Sequence, residues 1–349
     1  MAFSVKSKFS VITEDNLSTI KNELLNFETD IYHSIDWLLL NKDLQEGEIN
    51  CIFLEDGKNC AFFPLIKRNI KNTAYFDLIT PYGYGGVAFK KATDIDFKEK
   101  VFEELNQHLS TTNCISVFLR LHPLLNKVVV AGGAVFENGT TLAIKLNNSY
   151  PEIYSKYSSG HKYDLKKSKK NENICIVDDA DFFYFDDFIE IYLETMRYLD
   201  ASDFYFFDKE YFYRMKKLLA EKLKLVVVKL NDQIIGASLF MLHNGIIQYH
   251  LSGTTIEGRK YQPSKLILDY MVNWGVSQGY TFLHLGGGVG GQQDALYKFK
   301  KGFSADDYSF YTVRLITNNN IYRRLCSDLN FTDVEIDNIS DFFPLYRKV

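Results

Sequence analysis

Cysteine is scarce in this 349-residue sequence, and its distribution argues against a disulfide framework. The five cysteines lie far apart, their number is odd, and no CxxC pair occurs. Free thiols in a reducing compartment are the plain interpretation. The sequence also lacks a signal peptide at its start and any apolar run long enough to span a bilayer. We therefore expect a cytoplasmic protein whose contact with a membrane is at most peripheral.

Several common catalytic signatures are missing as well. The seven histidines are scattered and form no HExxH motif, so no metal site is expected. There is no GxSxG elbow. Gly286, Gly288 and Gly291 formally satisfy GxGxxG, but too little chain follows to complete a doubly wound sheet, and no GK[ST] follows either. These glycines are better explained by close approach of the backbone to a ligand or to a neighbouring strand.

An excess of positive charge is also absent. Net charge is -4 and the pI is about 6.0, which argues against broad coating of nucleic acid. Lysines nevertheless form two local clusters, which are either solvated helix faces or phosphate contacts. Two clusters in an acidic chain favour phosphate contact. One consists of Lys162, Lys166, Lys167, Lys169 and Lys170, and the other of Lys298, Lys300 and Lys301.

One order of elements occurs twice along the chain, which predicts two similar α/β domains. The order is two helices, a hairpin, a strand, a glycine loop, a helix and a strand. We assign residues 1–148 plus 320–349 to the first domain and 149–319 to the second. The first copy has helices at 13–27 and 34–44, a hairpin at 51–68, a strand at 74–80, a helix at 94–109 and a strand at 114–121. The second has helices at 185–201 and 208–222, a hairpin at 223–242, a strand ending at 253, a helix at 263–279 and a strand at 282–285. Further predicted elements are a strand at 141–146, a helix at 149–171 and a helix at 321–329.

The stretch 249–304 organises the second copy. A strand ends near Gly253, a loop follows, and Pro263 opens a helix with one apolar face. A second strand then runs into a glycine loop, and a further helix begins near Asp294. The basic residues gather at the ends of this unit, so we expect a substrate groove there.

Several motifs along nearly the whole chain, taken together, resemble the FemAB/FemX family of non-ribosomal peptidyltransferases and the related FemAB-like acetyltransferases. The resemblance implies two tandem GNAT-like domains with a cleft between them, and a C-terminal segment that returns to the first domain. The motifs are Pro81-Tyr82-Gly83-Tyr84-Gly85-Gly86, Phe118-Leu119-Arg120-Leu121-His122-Pro123, the lysine-rich segment 161–170, Tyr192-x-x-Thr195-Met196, Tyr249 to Thr254, Leu285-Gly286-Gly287-Gly288, and Phe299-Lys300-x-x-Phe303.

The resemblance also implies an activity: transfer of an acyl or aminoacyl group to an amine of a phosphorylated cell-envelope precursor. The acceptor would be a peptidoglycan peptide or an amino sugar, linked to a nucleotide or a lipid. The donor would be aminoacyl-tRNA or acyl-CoA such as acetyl-CoA, bound as a co-substrate, with no tightly bound cofactor and no metal. Ordinary GNAT enzymes cradle CoA pyrophosphate on an R/Q-x-x-G-x-G/A turn. Here that stretch is Arg259 to Ser264 and has no glycine, which weakens the CoA interpretation and leaves both donors open.

The same resemblance suggests roles for individual residues. We expect the acceptor to contact a glycine-aromatic loop and cations, which are Tyr82, Tyr84, Arg120, Lys162, Lys166 and Lys167. We expect the donor to contact Ser252, Gly253, Arg259, Lys260, Gly287, Gly288 and Lys298. Lys300 is expected to bind a donor phosphate or the developing oxyanion. Tyr249, His250 and Asp294 are candidate proton acceptors, although no dedicated base is required.

A non-catalytic protein that uses the cleft for glycan or tRNA is the alternative function, and acyl transfer with any donor would exclude it. A purely structural protein is a weaker third interpretation, favoured only if side chains fill the cleft.

Overall fold

The computed structural model describes residues 7–126, 135–303 and 305–348. The chain divides into two compact units: Met1–Asn138 with Ser309–Val349 is unit 1, and Gly139–Tyr308 is unit 2. The sequence predicted divisions after 148 and 319, whereas the units divide after 138 and 308. Both divisions fall inside long strands, β8 (Val135–Lys145) and β14 (Asp306–Ile316). Because each boundary between the units lies inside a strand, no linker marks it, and the sequence could not predict its position.

Unit 1 is a mixed sheet with helices packed against it. Its strand order is β6-β3-β2-β4-β5-β7-β14, and β1 pairs with β2. Strands β5 and β7 are parallel, as a strand-helix-strand connection requires. The elements before β8 are β1 (Lys8–Thr13), α1 (Ile35–Asn41), β2 (Glu48–Asp56), β3 (Asn59–Phe63), β4 (Ile66–Asn69), β5 (Phe76–Ile79), β6 (Ala88–Phe89), α2 (Ile95–Leu109) and β7 (Cys114–Arg120). After β14 come α9 (Asn319–Ser327) and α10 (Asp333–Asp337).

The helices of unit 1 follow their sequence signals closely. Helix α1 begins where expected because Ser34 caps it, its hydroxyl accepting a hydrogen bond from the Trp37 amide at 3.2 Å. Helix α2 buries the apolar residues that recur at helical spacing, Phe97, Val101, Phe102, Leu105 and Leu109. This face packs on the sheet and forms part of the core of unit 1.

The amino-terminal helix predicted over 13–27 is wrong. The segment forms strand β1, which ends at Thr13, and two short 3₁₀-helices, Glu14–Ile20 and Glu23–Asn26. Leu17 and Ile20 are the buried residues of the first 3₁₀-helix. A spacing of three aligns side chains in a 3₁₀-helix, which has three residues per turn.

The C-terminal tail packs on unit 1 around the buried carboxylate of Asp77. One oxygen accepts from Arg68 Nε at 2.7 Å, and the other accepts from Arg347 Nε at 2.8 Å and from the Tyr346 hydroxyl at 3.1 Å. The Tyr346 hydroxyl also lies 2.7 Å from that of Ser116. This network fixes the end of the chain to strands β4, β5 and β7.

Unit 2 has a sheet of order β8-β13-β12-β11-β10-β9. Within the described ranges, no helix combines the length and apolar composition that a membrane span requires. The elements are α3 (Tyr150–Ser155), α4 (Ser159–Lys169), β9 (Ile174–Asp178), α5 (Phe185–Tyr198), α6 (Lys209–Leu219), β10 (Leu223–Leu230), β11 (Gln233–His243), β12 (Ile246–Thr254), α7 (Pro263–Ser277), β13 (Phe282–Gly287) and α8 (Ala295–Lys301).

The helix predicted over 149–171 is interrupted. Its start is as expected, because Ser149 and Glu152 form the capping box. The interruption falls at Ser158, whose hydroxyl caps α4 by accepting from the His161 amide at 3.2 Å and whose own amide donates to the Gly302 carbonyl at 2.9 Å. This second contact is remote in sequence, so the pattern of the segment alone could not reveal the break. Strand β9, which follows α4, was not predicted.

Candidate active site

Strands β12 and β13 separate part-way along their length. They pair in parallel only from Ile246 to Gln248 on β12 and from Phe282 to His284 on β13. Strand β12 then continues to Thr254 beside β11, while β13 continues to Gly287 beside β8. Among the described residues, β12 has no strand partner on its β13 side beyond Gln248. Within the described residues, a separation with unpaired strand edges therefore begins at Tyr249.

A β-bulge marks the same point on β12. Phe240 of β11 lies opposite Tyr249 and Leu239 lies opposite Leu251, so His250 is the extra residue. Burial lowers the pKa of His250 to about 3. Its imidazole is therefore neutral at pH 7 and a weak base, which argues against its predicted role as proton acceptor. His284, also within an apolar strand, bonds Gln248 Oε1 through Nδ1 at 2.7 Å.

Hydroxyl groups line β12 next to the bulge. Ser252 lies 2.8 Å from the hydroxyl of Ser238 on β11. Burial raises the pKa of Tyr249, while hydrogen bonds with Ser252 and Ser238 oppose that rise. Tyr249 is thus a protonated phenol at neutral pH.

Helix α5 fixes the end of β12. The Thr195 hydroxyl accepts from the Thr254 amide at 3.0 Å and lies 3.3 Å from the Thr254 carbonyl. A Cβ at Gly253 would stand 2.7 Å from the Ile191 carbonyl oxygen, so only glycine permits this approach of helix and strand. Gly253, predicted as a donor contact, has this structural reason for being glycine.

The turn before α7 is closed by its own hydrogen bonds. Residues Arg259–Tyr261 form a 3₁₀-helix. The amide of Tyr261 donates to the Gly258 carbonyl at 2.9 Å, and the amide of Gln262 donates to the Arg259 carbonyl at 3.1 Å. The Arg259 guanidinium stacks on Tyr198, 3.3 Å from the ring centroid. Arg259 and Lys260 are therefore placed together at the start of α7, but on a turn with few amides left for a pyrophosphate.

Lys300 is buried, which the sequence did not predict. It is 7% exposed, and its Nζ donates to the Gly287 carbonyl at 2.6 Å. Burial lowers the pKa of Lys300 to about 8, and the charge of Asp294 opposes that shift. Among the described residues Lys300 forms no ion pair. The cluster of lysines at the end of α8 suggested that the Lys300 ammonium is exposed. Instead, α8 packs against β13 with Lys300 on its buried side.

Asp294 caps helix α8 and holds the glycine loop. Its carboxylate accepts from the Tyr297 amide at 2.8 Å and from the Val289 amide at 3.0 Å. These bonds lower the pKa of Asp294. The lowered pKa makes this carboxylate a weaker proton acceptor, and its catalytic role stays a prediction. A Cβ at Gly288 would stand 2.4 Å from Asp294 Oδ1, so any residue larger than glycine would collide with this carboxylate.

His161 supports α8 from beneath, and the sequence analysis missed it. Its Nε2 bonds the Phe299 carbonyl at 2.8 Å, and a Cβ at Gly302 would stand 2.5 Å from the ring. Burial lowers the pKa of His161, with the nearby charge of Lys265 adding to the effect. The only sequence signal was a histidine beginning the lysine cluster, which is not specific.

The lysines of α4 divide into anchoring and exposed residues. Lys169 Nζ donates to the buried carboxylate of Asp269 on α7 at 2.6 Å. Lys162 Nζ donates to the Ser155 carbonyl at 3.0 Å. Lys166 and Lys167 are exposed, as is Lys298 on α8. The exposed lysines keep their charge free for a ligand.

In unit 1, Arg120 lies beside Tyr82 and Tyr84. Burial lowers the pKa of Arg120 to about 10, the charge of Arg68 adds to this, and the two tyrosines oppose it. The guanidinium donates to the Thr80 carbonyl at 3.3 Å and lies 4.9 Å from the Phe118 ring centroid. Among the described residues it has no carboxylate partner.

The glycine-aromatic loop of unit 1 is packed rigidly. Gly83 has φ +92°, and a Cβ there would stand 2.2 Å from the buried Tyr32 ring. Asn126 holds the next turn, since its amide donates to the Val87 carbonyl at 2.7 Å and its oxygen accepts from the His122 amide at 2.8 Å. The loop therefore presents Tyr82 and Tyr84 on a fixed backbone.

The family model of an acetyltransferase (GNAT) domain matches residues 155–301, nearly all of unit 2 after β8. No curated protein matches the sequence. The match supports acyltransferase activity, as predicted. It covers the opening between β12 and β13, the turn before α7 and Lys300.

Solved structures share the fold at low sequence identity. FemX superposes with a TM-score of 0.66 at 13% identity, covering 91% of this chain and 99% of FemX. A conserved protein of unknown function from Bacteroides thetaiotaomicron gives 0.53 at 11% identity, covering 88% and 99% of the two chains. The C-terminal domain of a putative lysylphosphatidylglycerol synthetase from Agrobacterium fabrum gives 0.50 at 12%, covering 92% and 96%. The predicted resemblance to the FemAB/FemX family is thus confirmed at the level of fold, and so is the class of tandem GNAT-like α/β domains.

Proposed function

We propose that unit 2 transfers an aminoacyl group from a charged tRNA to an amine of a phosphorylated cell-envelope precursor. The observation that carries the proposal is the opening of β12 from β13 with the buried Lys300 at its edge. Backbone N–H groups on the unpaired edge of β12 suit a carbonyl oxygen that becomes negative during reaction. Lys300 adds a positive charge from a buried position, where a charge acts more strongly than in bulk water.

The reaction needs no covalent intermediate on the protein. The neutral acceptor amine attacks the donor carbonyl carbon, a C–N bond forms, and the C–O bond to the tRNA ribose breaks. The proton lost by the amine passes to the leaving ribose oxygen. Lys300, as a cation, stabilises the oxyanion or the adjoining donor phosphate. The burial of His250 and the capping contacts of Asp294 disfavour both as bases, which is consistent with proton transfer within the substrates.

The closed turn before α7 favours an aminoacyl ester over CoA. A CoA pyrophosphate is bound in GNAT domains by amides that point outward from a glycine-rich turn. Here Tyr261 and Gln262 use their amides within the turn, and Ser168 of α4 donates to the Tyr261 carbonyl at 2.7 Å. A tRNA donor does not need these free amides, because it has no CoA pyrophosphate.

Arg120 is our proposed anchor for the acceptor phosphate. A half-buried guanidinium without a carboxylate partner among the described residues is suited to an anion, and Arg can bind phosphate in a bidentate manner. Tyr82 and Tyr84 beside it supply rings and hydroxyls that fit a sugar.

An acyl-CoA donor is the second candidate, because the matching family is described as acetyltransferases. The test incubates the purified protein with charged tRNA or with acetyl-CoA, each with a nucleotide-linked amino sugar or muropeptide. Mass spectrometry then reads the product mass. A product carrying an amino acid supports the proposal, and an acetylated product replaces it with the CoA alternative. Ligand binding without turnover under both conditions would favour the binding-only function.

A further inference from the structure

Unit 2 contains a cavity outside the opening between β12 and β13. Its volume is about 430 Å³, which is in the range of small-molecule sites. It lies between the carboxyl-terminal ends of α6 and α7 and the loop that follows β9. Among the described residues, none that lines it belongs to β12, β13 or α8. The cavity is therefore distinct from the place where we propose acyl transfer.

The walls of the cavity combine apolar and charged side chains. Its apolar part consists of Leu223 on β10, Leu242 on β11 and Trp274 on α7, with Phe182 from the loop after β9. A ligand for such a cavity needs an apolar body and charged groups. The charged residues that line it are Asp178, Asp179, Lys216, Glu221 and Lys224.

Three of these charges are compensated within unit 2. Asp178 forms an ion pair with Lys224 and also accepts from the Tyr270 hydroxyl at 2.8 Å. Asp179 accepts from two backbone amides just before α5, at 2.9 and 2.7 Å. A carboxylate at the amino-terminal end of a helix is further stabilised by the helix dipole. These three groups therefore need no charged ligand.

Lys216 and Glu221 keep their charges without an ionic partner. The Lys216 ammonium lies 5.1 Å from the Phe182 ring centroid and 5.2 Å from that of Phe185. The rings hold the ammonium in place, but its N–H groups stay available to an oxygen. Across the described ranges, neither Lys216 nor Glu221 forms an ion pair, with each other or with a third residue. A ligand that carries both signs would pair with both.

The turns that line the cavity are fixed. Phe182 has φ +57° and Ala220 has φ +42°, in the left-handed region that favours glycine. Other residues keep such a conformation only where the surrounding structure holds it, and they cluster at ligand-binding sites. Here the Phe182 amide donates to the Asp179 carbonyl at 3.2 Å, and the Ala220 amide donates to the Lys216 carbonyl. A ligand therefore meets walls that are already in place.

We propose that this cavity binds a free α-amino acid with a large apolar side chain. The carboxylate of the amino acid accepts from Lys216, and its ammonium donates to Glu221. Glu221 follows the carboxyl-terminal end of α6, where the helix dipole also favours a cation. The apolar side chain of the ligand packs on Leu223, Leu242 and Trp274. This binding is independent of the acyl group that the enzyme transfers.

Isothermal titration calorimetry of the full chain with L-phenylalanine tests the cavity. Two analogues each lack one charge, since phenethylamine has no carboxylate and 3-phenylpropionate has no ammonium. We expect L-phenylalanine to bind about tenfold more tightly than phenethylamine, because the bond to the half-buried Lys216 joins two charged groups. It should also bind more tightly than 3-phenylpropionate. No binding of L-phenylalanine, or equally tight binding of either analogue, would overturn the assignment.

Two variants locate the binding. Lys216→Gln should weaken binding of L-phenylalanine about tenfold and leave that of phenethylamine unchanged, because the amine has no carboxylate. Glu221→Gln should weaken it about threefold, since Glu221 is exposed, and leave that of 3-phenylpropionate unchanged. The matched controls are Lys217→Gln and Glu210→Gln, at exposed positions of α6 outside the cavity. Thermal melting verifies that each variant is folded. Controls that lose as much affinity as Lys216→Gln would show that the amino acid binds elsewhere.

Discussion

Lys300 and Gly287 are joined by a hydrogen bond of 2.6 Å from the ammonium to the carbonyl oxygen. The bond connects α8 to the last residue of β13, at the edge of the opening between β12 and β13. A buried ammonium costs free energy unless it is paired, and here one hydrogen bond and the charge of Asp294 compensate in part. Retaining a charge at such a cost is typical of a functional group.

Lys300→Met should reduce turnover strongly while leaving the fold intact. Removing one charge-assisted hydrogen bond to a developing oxyanion or phosphate costs about 2.7–4 kcal/mol, or roughly a hundred- to a thousandfold in rate. Methionine fills a similar volume; the Gly287 carbonyl loses one donor, but the cost of burying the charge is also removed, so we expect little net change in stability at neutral pH. Steady-state kinetics beside urea unfolding would measure both. Lys217→Met, at an exposed position of α6, is the control, and a Lys300 variant that keeps more than a tenth of turnover would remove Lys300 from the mechanism.

The pKa of Lys300 predicts how activity depends on pH. Its pKa is lowered to about 8, so the ammonium loses its proton above that pH. If the cation is the active form, kcat should fall as pH rises through about 8. In Lys300→Arg the guanidinium stays charged, so any remaining activity should lack this fall. A wild-type kcat that is flat between pH 7 and about 9.5 would contradict the cationic role.

The same shift has a consequence for stability. Burial lowers the pKa of this lysine in the folded state, so between about 8 and the unfolded value of 10.5 the unfolded chain binds more protons. The contribution of Lys300 to stability therefore rises with pH across that window. Its unfavourable contribution is fully present below about 8. The difference in unfolding free energy between wild type and Lys300→Met, measured by denaturation at several pH values, isolates this effect.

Local patterns predicted most helices and strands of the fold. Helix α2 buries the five residues of its apolar stripe, and the cap at Ser34 starts α1 as expected. The segments that failed depend on remote contacts: strand β14 pairs with β7, and Ser158 donates to Gly302. No local pattern contains those partners.

For the candidate site, the sequence predicted where the functional residues lie along the chain but not which of their side chains are buried. The lysine-rich end of α8 looked exposed, yet Lys300 faces inward while Lys298 faces out. A helix turns by about 100° per residue, so the direction of each lysine depends on how the helix packs. His161 was overlooked for the same reason, because its partners Phe299 and Gly302 are far along the chain.

Gly83→Ala should destabilise unit 1 and impair the acceptor loop. Gly83 has φ +92°, and the added Cβ would stand 2.2 Å from the buried Tyr32 ring. Strain and overpacking together should cost about 2–4 kcal/mol. Gly57→Ala is the matched control, because Gly57 has φ +58° with nothing within 4 Å of the added Cβ. It should cost only about 1 kcal/mol from the backbone conformation. Equal losses in urea unfolding would show that the contact with Tyr32 does not matter.

Asp269→Ala should be among the most destabilising single changes in unit 2. Its carboxylate is 2% exposed, accepts from the Tyr150 hydroxyl at 3.0 and 3.1 Å, and binds Lys169 Nζ at 2.6 Å. These bonds hold α3 and α4 against α7. Breaking a buried pair by removing one partner costs about 3–5 kcal/mol. Because Lys169 is itself half-exposed and can return to water, we expect a value near the lower end of that range.

Asp164→Ala is the control, because it removes an acid from the neighbouring pair with Lys265 on the same two helices. Asp164 is more exposed than Asp269, so its loss should cost at most about 1 kcal/mol. Urea unfolding of the two variants and of wild type gives both values. Asp269→Asn adds a further check, since an amide can still accept from Tyr150 but no longer attracts the lysine, and its stability should lie between wild type and Asp269→Ala. If Asp269→Ala unfolds no more easily than Asp164→Ala, Asp269 does not anchor α4 to α7.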